Sequence, residues 1–126
     1  MNVELTNLID KYEKLGIAKG SSLLMRPEVA LQFLDELEKI GIGLDLVELW
    51  QPIEVEGRQA FVEDPFGPFF AHLVGSSDYV SKSINEAREY IRHELPEKIA
   101  FVSFVLSTKE PYWENLHTRQ ATYQNV

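Results

Sequence analysis

Carboxylates are the residues of this chain best placed to do chemistry: Asp35-Glu36 and Glu63-Asp64 are adjacent pairs, and Glu54 and Glu56 stand two apart. General acid and base work needs two such groups in environments that separate their pKa values, which neighbours in sequence seldom supply. On a strand Glu54 and Glu56 share a face whereas adjacent residues face apart, so the plainer expectation is a solvated acidic surface. The three histidines, His72, His93 and His117, are widely spaced and none has a second ligand at metal spacing such as H-x-x-x-H. The G-x-S-x-G elbow and the phosphate-cradling patterns G-x-x-x-x-G-K-[ST] and G-x-G-x-x-G are absent. With no cysteine there is no thiolate nucleophile, disulfide or cysteine zinc site. The expectation is a chain with no catalytic residue, metal or cofactor.

Charge is more informative than motif. The formal net charge is −8, and the surplus lies between Glu28 and Asp64, where ten acids (Glu28, Asp35, Glu36, Glu38, Asp45, Glu48, Glu54, Glu56, Glu63 and Asp64) meet two bases, Lys39 and Arg58. Outside that window acids and bases balance. Nucleic acid or an anionic membrane is a poor partner for such a surface, because phosphate binding wants concentrated lysine and arginine; a basic protein fits better. The stretch "EDPFGPFF", residues 63–70, adds two prolines, a glycine and three phenylalanines to this acidic region. Its simplest reading is a stiff corner between two strands, with Phe69 and Phe70 on opposite faces. A rigid aromatic loop loses little entropy on binding, so Phe66, ringed by Glu63 and Asp64, is a candidate contact anchor.

The elements that must position these groups follow from periodicity. Leu5, Leu8, Ile9, Tyr12 and Leu15 predict a helix over 3–15, stopped by Gly16. "SSLLM" predicts a short strand, and Pro27 opens a second helix over 27–40 that buries Val29, Ala30, Phe33, Leu34, Leu37 and Ile40. A strand is expected in "IGLDLVELWQ", then, after Gln51-Pro52, a hairpin turning at Glu56-Gly57. "FFAHLV" suggests another strand, residues 79–94 a third helix with Val80, Ile84, Ala87 and Ile91 inward, and "IAFVSFVL" a central strand. This order predicts a two-layer α+β fold, a mixed or mainly antiparallel sheet of 4–6 strands packed by three helices, as one domain over 1–108 with a polar, partly docked tail at 109–126. The acid-bearing N-terminus lacks a signal peptide's basic start, and no apolar run is long enough to span a bilayer, so a cytoplasmic protein is expected.

Two stretches, "ALQFLDELEKIGIGLDLVELW" and "SKSINEAREYIRHELP" with "IAFVSFVL", resemble the immunity proteins of bacterial polymorphic toxin systems, most nearly the immunity protein 40 family. The resemblance covers about residues 30–106 and rests on a helix, a strand, a late helix carrying Ser83, Ile84, Ala87 and Ile91, and a final aliphatic strand. It implies a non-enzymatic antidote that binds and blocks a cognate toxin. Combined with the charge layout, Asp45, Glu48, Glu54, Glu56, Glu63 and Asp64 are expected to steer a basic toxin, with Trp50 or Phe66 as anchor. Two other readings stay open. One is a small hydrolase or ligand-binding domain with a carboxylate-lined cleft, which a buried carboxylate beside His72 would favour; the other is an oligomer completed by the aromatic tail.

Overall fold

Three amphipathic stripes become helices in the computed structural model, which describes residues 2–20, 22–64, 67–73 and 75–107. The tail expected at 109–126 and the anchor Phe66 lie outside the described residues. Helix α1 spans Val3–Glu13, capped by Asn2, whose Oδ1 accepts from the Leu5 amide at 3.0 Å. Helix α2 spans Pro27–Lys39 with proline in its first turn, and α3 spans Tyr79–His93. Their buried residues repeat every three or four positions: Leu5, Leu8, Ile9 and Tyr12; Ala30, Phe33, Leu34 and Leu37; Ser83, Ile84, Ala87 and Ile91. Removing such aliphatic side chains from water contributes about 1.5–3 kcal/mol each.

Five strands complete an α+β fold: β1 (Ile17–Lys19), β2 (Ser22–Leu24), β3 (Gly43–Val55), β4 (Arg58–Asp64) and β5 (Phe101–Ser107). They form two antiparallel sheets, β1-β2 and β4-β3-β5. The largest sheet therefore has three strands, fewer than the 4–6 expected. The two sheets meet at one bridge, Met25 to Val102, with reciprocal backbone hydrogen bonds of 2.8 Å. Tyr12 meets the Phe33 ring edge-on, and Phe33 stacks on Phe104 of β5, linking α1, α2 and the sheet. The Tyr12 hydroxyl also donates to Glu36, which takes Lys11 Nζ at 3.1 Å. That phenol bond, ahead of the lysine, holds the Glu36 carboxyl below its usual range.

Pro52 does not break the strand as the sequence suggested. In the β3–β4 ladder Val55 pairs with Arg58 across a two-residue turn, so the odd-numbered residues of β3 bond to β4 and the even ones point their backbone groups away. Position 52 is one of these. β5 pairs with β3 only as far as Trp50, so the missing proline amide faces an open edge, where its absence disrupts no ladder. The turn residues Glu56 and Gly57 have φ of 53° and 77°, the double left-handed conformation of a tight hairpin.

"FFAHLV" is not a strand. Beyond β4 the chain returns to the same edge of β3 through one bridge, Phe69 to Leu46, with the Val47 amide donating to the Pro68 carbonyl and the Phe70 amide to the Asp45 carbonyl, each at 3.0 Å. Ala71–Leu73 then turn in a short 3₁₀ helix. Phe70 is buried and Phe69 exposed, the opposite-face split expected of "EDPFGPFF". A β-carbon at Gly67 would strike the Val47 carbonyl oxygen, so only glycine allows this approach.

Two stability measurements check these assignments by urea unfolding. Glu56→Asn relieves a left-handed glutamate and raises stability by about 1 kcal/mol. Gly67→Ala lowers it by about 1–3 kcal/mol, because backbone and not a flexible side chain blocks the new methyl.

Candidate functional site

The sheet has two faces, and the helices cover one. Alternation along β3 sends Val47 and Leu49 into the helical core, and Glu48, Trp50 and Glu54 to the other face. Trp50 lies opposite Glu63 on β4 and Phe101 on β5, while Glu48 lies opposite Ser103. A small second core forms there from Leu24, Trp50 and Phe101, flanked by Phe61 and Ala100. Phe61 meets Phe101 edge-on at 5.2 Å, and the Arg26 guanidinium lies 5.4 Å from the Phe101 ring centre.

A polar relay runs through this outer face. Trp50 Nε1 donates to Ser103 Oγ at 2.9 Å, Ser103 Oγ donates to Glu48 Oε1 at 2.8 Å, and Ser22 Oγ donates to the same oxygen at 3.1 Å. Trp50 and Ser103 are buried, with 7 % and 0 % of their surface exposed, so each bond satisfies a group that would otherwise be costly to remove from water. Glu63 stands beside Glu48. Its carboxyl is pushed above its usual range, first by partial shielding from water, then by a hydrogen bond to Glu48 and that neighbour's charge. Two carboxyls held side by side are the chemical content of this face.

The structure sorts the acids of the middle segment into compensated and uncompensated groups. Arg88 Nη2 holds Asp35 at 2.8 Å and Glu38 at 2.9 Å, and Lys11 holds Glu36 at 3.1 Å. Asp64 alternates toward the helical side, pairs with Lys98 at 3.1 Å and keeps only 10 % of its side chain exposed, so it is withdrawn from the surface on which it was expected. Asp45 bulges out at the far end of β3, nine residues from Glu54 or roughly 30 Å along the strand, and accepts from the Tyr79 hydroxyl at 3.2 Å. Glu48, Glu54 and Glu63 share the outer face and Glu56 stands in the adjoining turn; among the described residues no lysine or arginine forms an ion pair with any of the four. Trp50 supports the face from within the sheet and does not project as the anchor that was expected.

Sequence reasoning missed Ser22 and Ser103, the hydroxyls that hold Glu48. The available signal was a serine beside apolar residues in each of two strands, Ser22 in "SLL" and Ser103 in "FVSFVLS". The carboxylate near His72 is Glu86, at 3.3 Å, and both side chains are about half exposed, 58 % and 48 %. Among the described residues no group of three histidine or acidic side chains could hold a metal ion, and no helix is long and apolar enough to cross a membrane. Comparisons with protein-family models, curated proteins and solved structures return no match to this chain.

Glu63 gives the face a pH signature. Its raised folded value means that its contribution to stability is complete below the ordinary glutamate value of 4.5 and is lost as pH rises through the raised one. Because Glu63 remains exposed, water screens the effect and keeps it small. Glu63→Gln therefore gains stability relative to the parent chain as pH rises from acid to neutral, read from urea midpoints. Ser103→Ala, which strips a partner from both Trp50 and Glu48, costs about 1–3 kcal/mol at neutral pH in the same measurement.

Proposed function

We propose that this chain is a non-enzymatic protein-binding domain, an immunity protein that captures and blocks a cognate basic toxin through the outer face of its β3–β4 hairpin. One observation carries the reading. Asp35, Glu36 and Glu38 of α2 and Asp64 at the root of β4 are neutralised within the fold, whereas Glu54, Glu56 and the Glu48–Glu63 pair stand together on one projecting element without a lysine or arginine partner among the described residues. A concentrated negative face raises the encounter rate with a cationic protein and repels phosphate-rich partners. The helix, strand, helix and strand order that resembles the immunity protein 40 family supports a toxin as that cationic protein.

The contact is built from carboxylates on a stiff ribbon. Phe61, Phe101 and Trp50 pack beneath Glu48 and Glu63, so the charges are presented by a surface that reorganises little on binding. Steering by Glu54, Glu56 and Glu63 dominates the association rate, and the relay beneath Glu48 holds that carboxylate in place.

Pull-down of the partner from the native host, followed by stopped-flow association with it, tests the proposal. Glu54→Lys, Glu56→Lys and Glu63→Lys combined slow association by about tenfold or more at low salt, and the parent chain's rate falls steeply as salt is added. Association rates unchanged by the triple reversal remove the reading. The hydrolase reading has one observation in its favour, the raised Glu63 carboxyl beside Glu48. An ester- or glycoside-cleaving activity abolished by Glu48→Gln, with toxin binding absent, establishes that reading instead.

A further inference from the structure

The apolar face of the sheet continues past the point where the helices stop covering it. Beyond Trp50, β3 has no β5 neighbour, and the ribbon residues that alternate toward the helical side include Ile53 and Val55 on β3 and Val62 on β4. All three are exposed, at 36 %, 50 % and 42 %. An isolated two-stranded ribbon is marginal in water, and three β-branched side chains along one face of it mark a surface suited to being covered.

At the base of the ribbon this face runs into a groove. Asp64, two residues from Val62 and on the same side, lies opposite Leu49, and Pro68 meets Val47 two positions along the same edge of β3; the Asp64 charge, second to burial, raises the phenol of Tyr90 on α3. Tyr90 belongs to a groove of about 400 Å³ between α3 and residues 67–70, floored by Pro68, Phe70 and Tyr90 and edged by Glu86, Glu89 and Glu94. No lysine or arginine is among its described lining residues. Two rim glutamates have imidazole partners, His72 at 3.3 Å from Glu86 and His93 at 3.4 Å from Glu89, which an ammonium or guanidinium group can replace; Arg88 is engaged by Asn85, Asp35 and Glu38, and Lys98 by Asp64.

We infer that the α3 groove and the inner face of the β3–β4 ribbon form one shelf that seats a lysine- or arginine-bearing amphipathic segment of a partner protein. Its apolar side chains lie on Pro68, Tyr90, Val62 and Ile53, and its cations meet Glu86, Glu89 and Glu94. The inference rests on the protein-binding reading and adds an apolar contact on the side of the ribbon opposite Glu48 and Glu54, so that the partner grips the hairpin from both faces. Charge complementarity selects this occupant. A second copy would bring Glu54 and Glu56 of its own hairpin against the glutamate rim, nucleic acid would bring phosphate, and strand addition at the open edge of β3 meets Pro52, which offers no amide.

Two synthetic peptides of equal length and charge test the shelf against the isotopically labelled full chain by NMR titration at low salt. One is an amphipathic lysine–leucine helix and the other has serine in place of leucine. The lysine–leucine peptide is expected to shift amides of residues 53–62 and 86–94 and to bind about tenfold more tightly than the lysine–serine peptide. Ile53→Thr with Val62→Thr, exposed changes that retain strand propensity, should abolish that advantage while the remaining amides keep their positions. Equal affinities for the two peptides, or shifts confined to the Glu48 and Glu54 face, overturn the shelf and leave the acidic-face reading standing. Binding by neither peptide overturns both.

Discussion

β3 has thirteen residues and its neighbour β5 seven, and this mismatch in length governs what the rest of the molecule can present. As far as Trp50, β3 is paired with β5, meets β4 only from Leu49 onward and lies against the helical core, and its inward side chains Leu44, Val47 and Leu49 are buried. Past Trp50 the same strand continues, among the described residues, with one neighbouring strand and no helix behind it, so identical alternation that buries Leu49 leaves Ile53 and Val55 exposed. A single strand therefore supplies both the centre of the core and a projecting arm. Pro52 sits near the transition, at a position where its lost amide points to the unpaired side, so the arm extends without offering a regular edge for another strand to join.

The same strand organises the electrostatics. The middle segment carries all of the chain's charge surplus, yet its acids divide by element. Asp35, Glu36 and Glu38 on α2 face α1 and α3, where Lys11 and Arg88 reach them; Arg88 alone takes Asp35 and Glu38 and keeps only 14 % of its side chain exposed. Among the described residues the outer face of the β3–β4 ribbon has no helix against it to deliver a cation, and the Glu48 carboxylate is held by serine hydroxyls beside Glu63. Local excess in sequence thus becomes spatial excess only on the ribbon, because that is where tertiary neighbours run out.

Periodicity made most of the elements legible. The three helices follow from apolar spacing, and the hairpin turn from a glycine that can adopt positive φ. Pro52 and "FFAHLV" misled for one shared reason: whether a residue belongs to a strand depends on what lies beside it. Proline is harmless at a free edge, and an aromatic run makes one bridge when the facing edge, around Asp45–Val47, admits only a short return past Gly67. The short β1 was missed because three residues, Ile17–Lys19, carry too little pattern to distinguish them from a turn.

Composition and order alone determined the α+β class, the helical faces, the hairpin and the location of the charge surplus, because each depends on residues within one or two turns or strands of one another. Only the tertiary structure decided that Asp64 turns inward to Lys98, that Trp50 is a buried donor, and that Ser22 and Ser103 converge on Glu48 beside Glu63. Those outcomes join residues from three or four strands. The register of a strand against its neighbour selects such partners, and register is a property of the packed sheet that no single stretch of sequence contains.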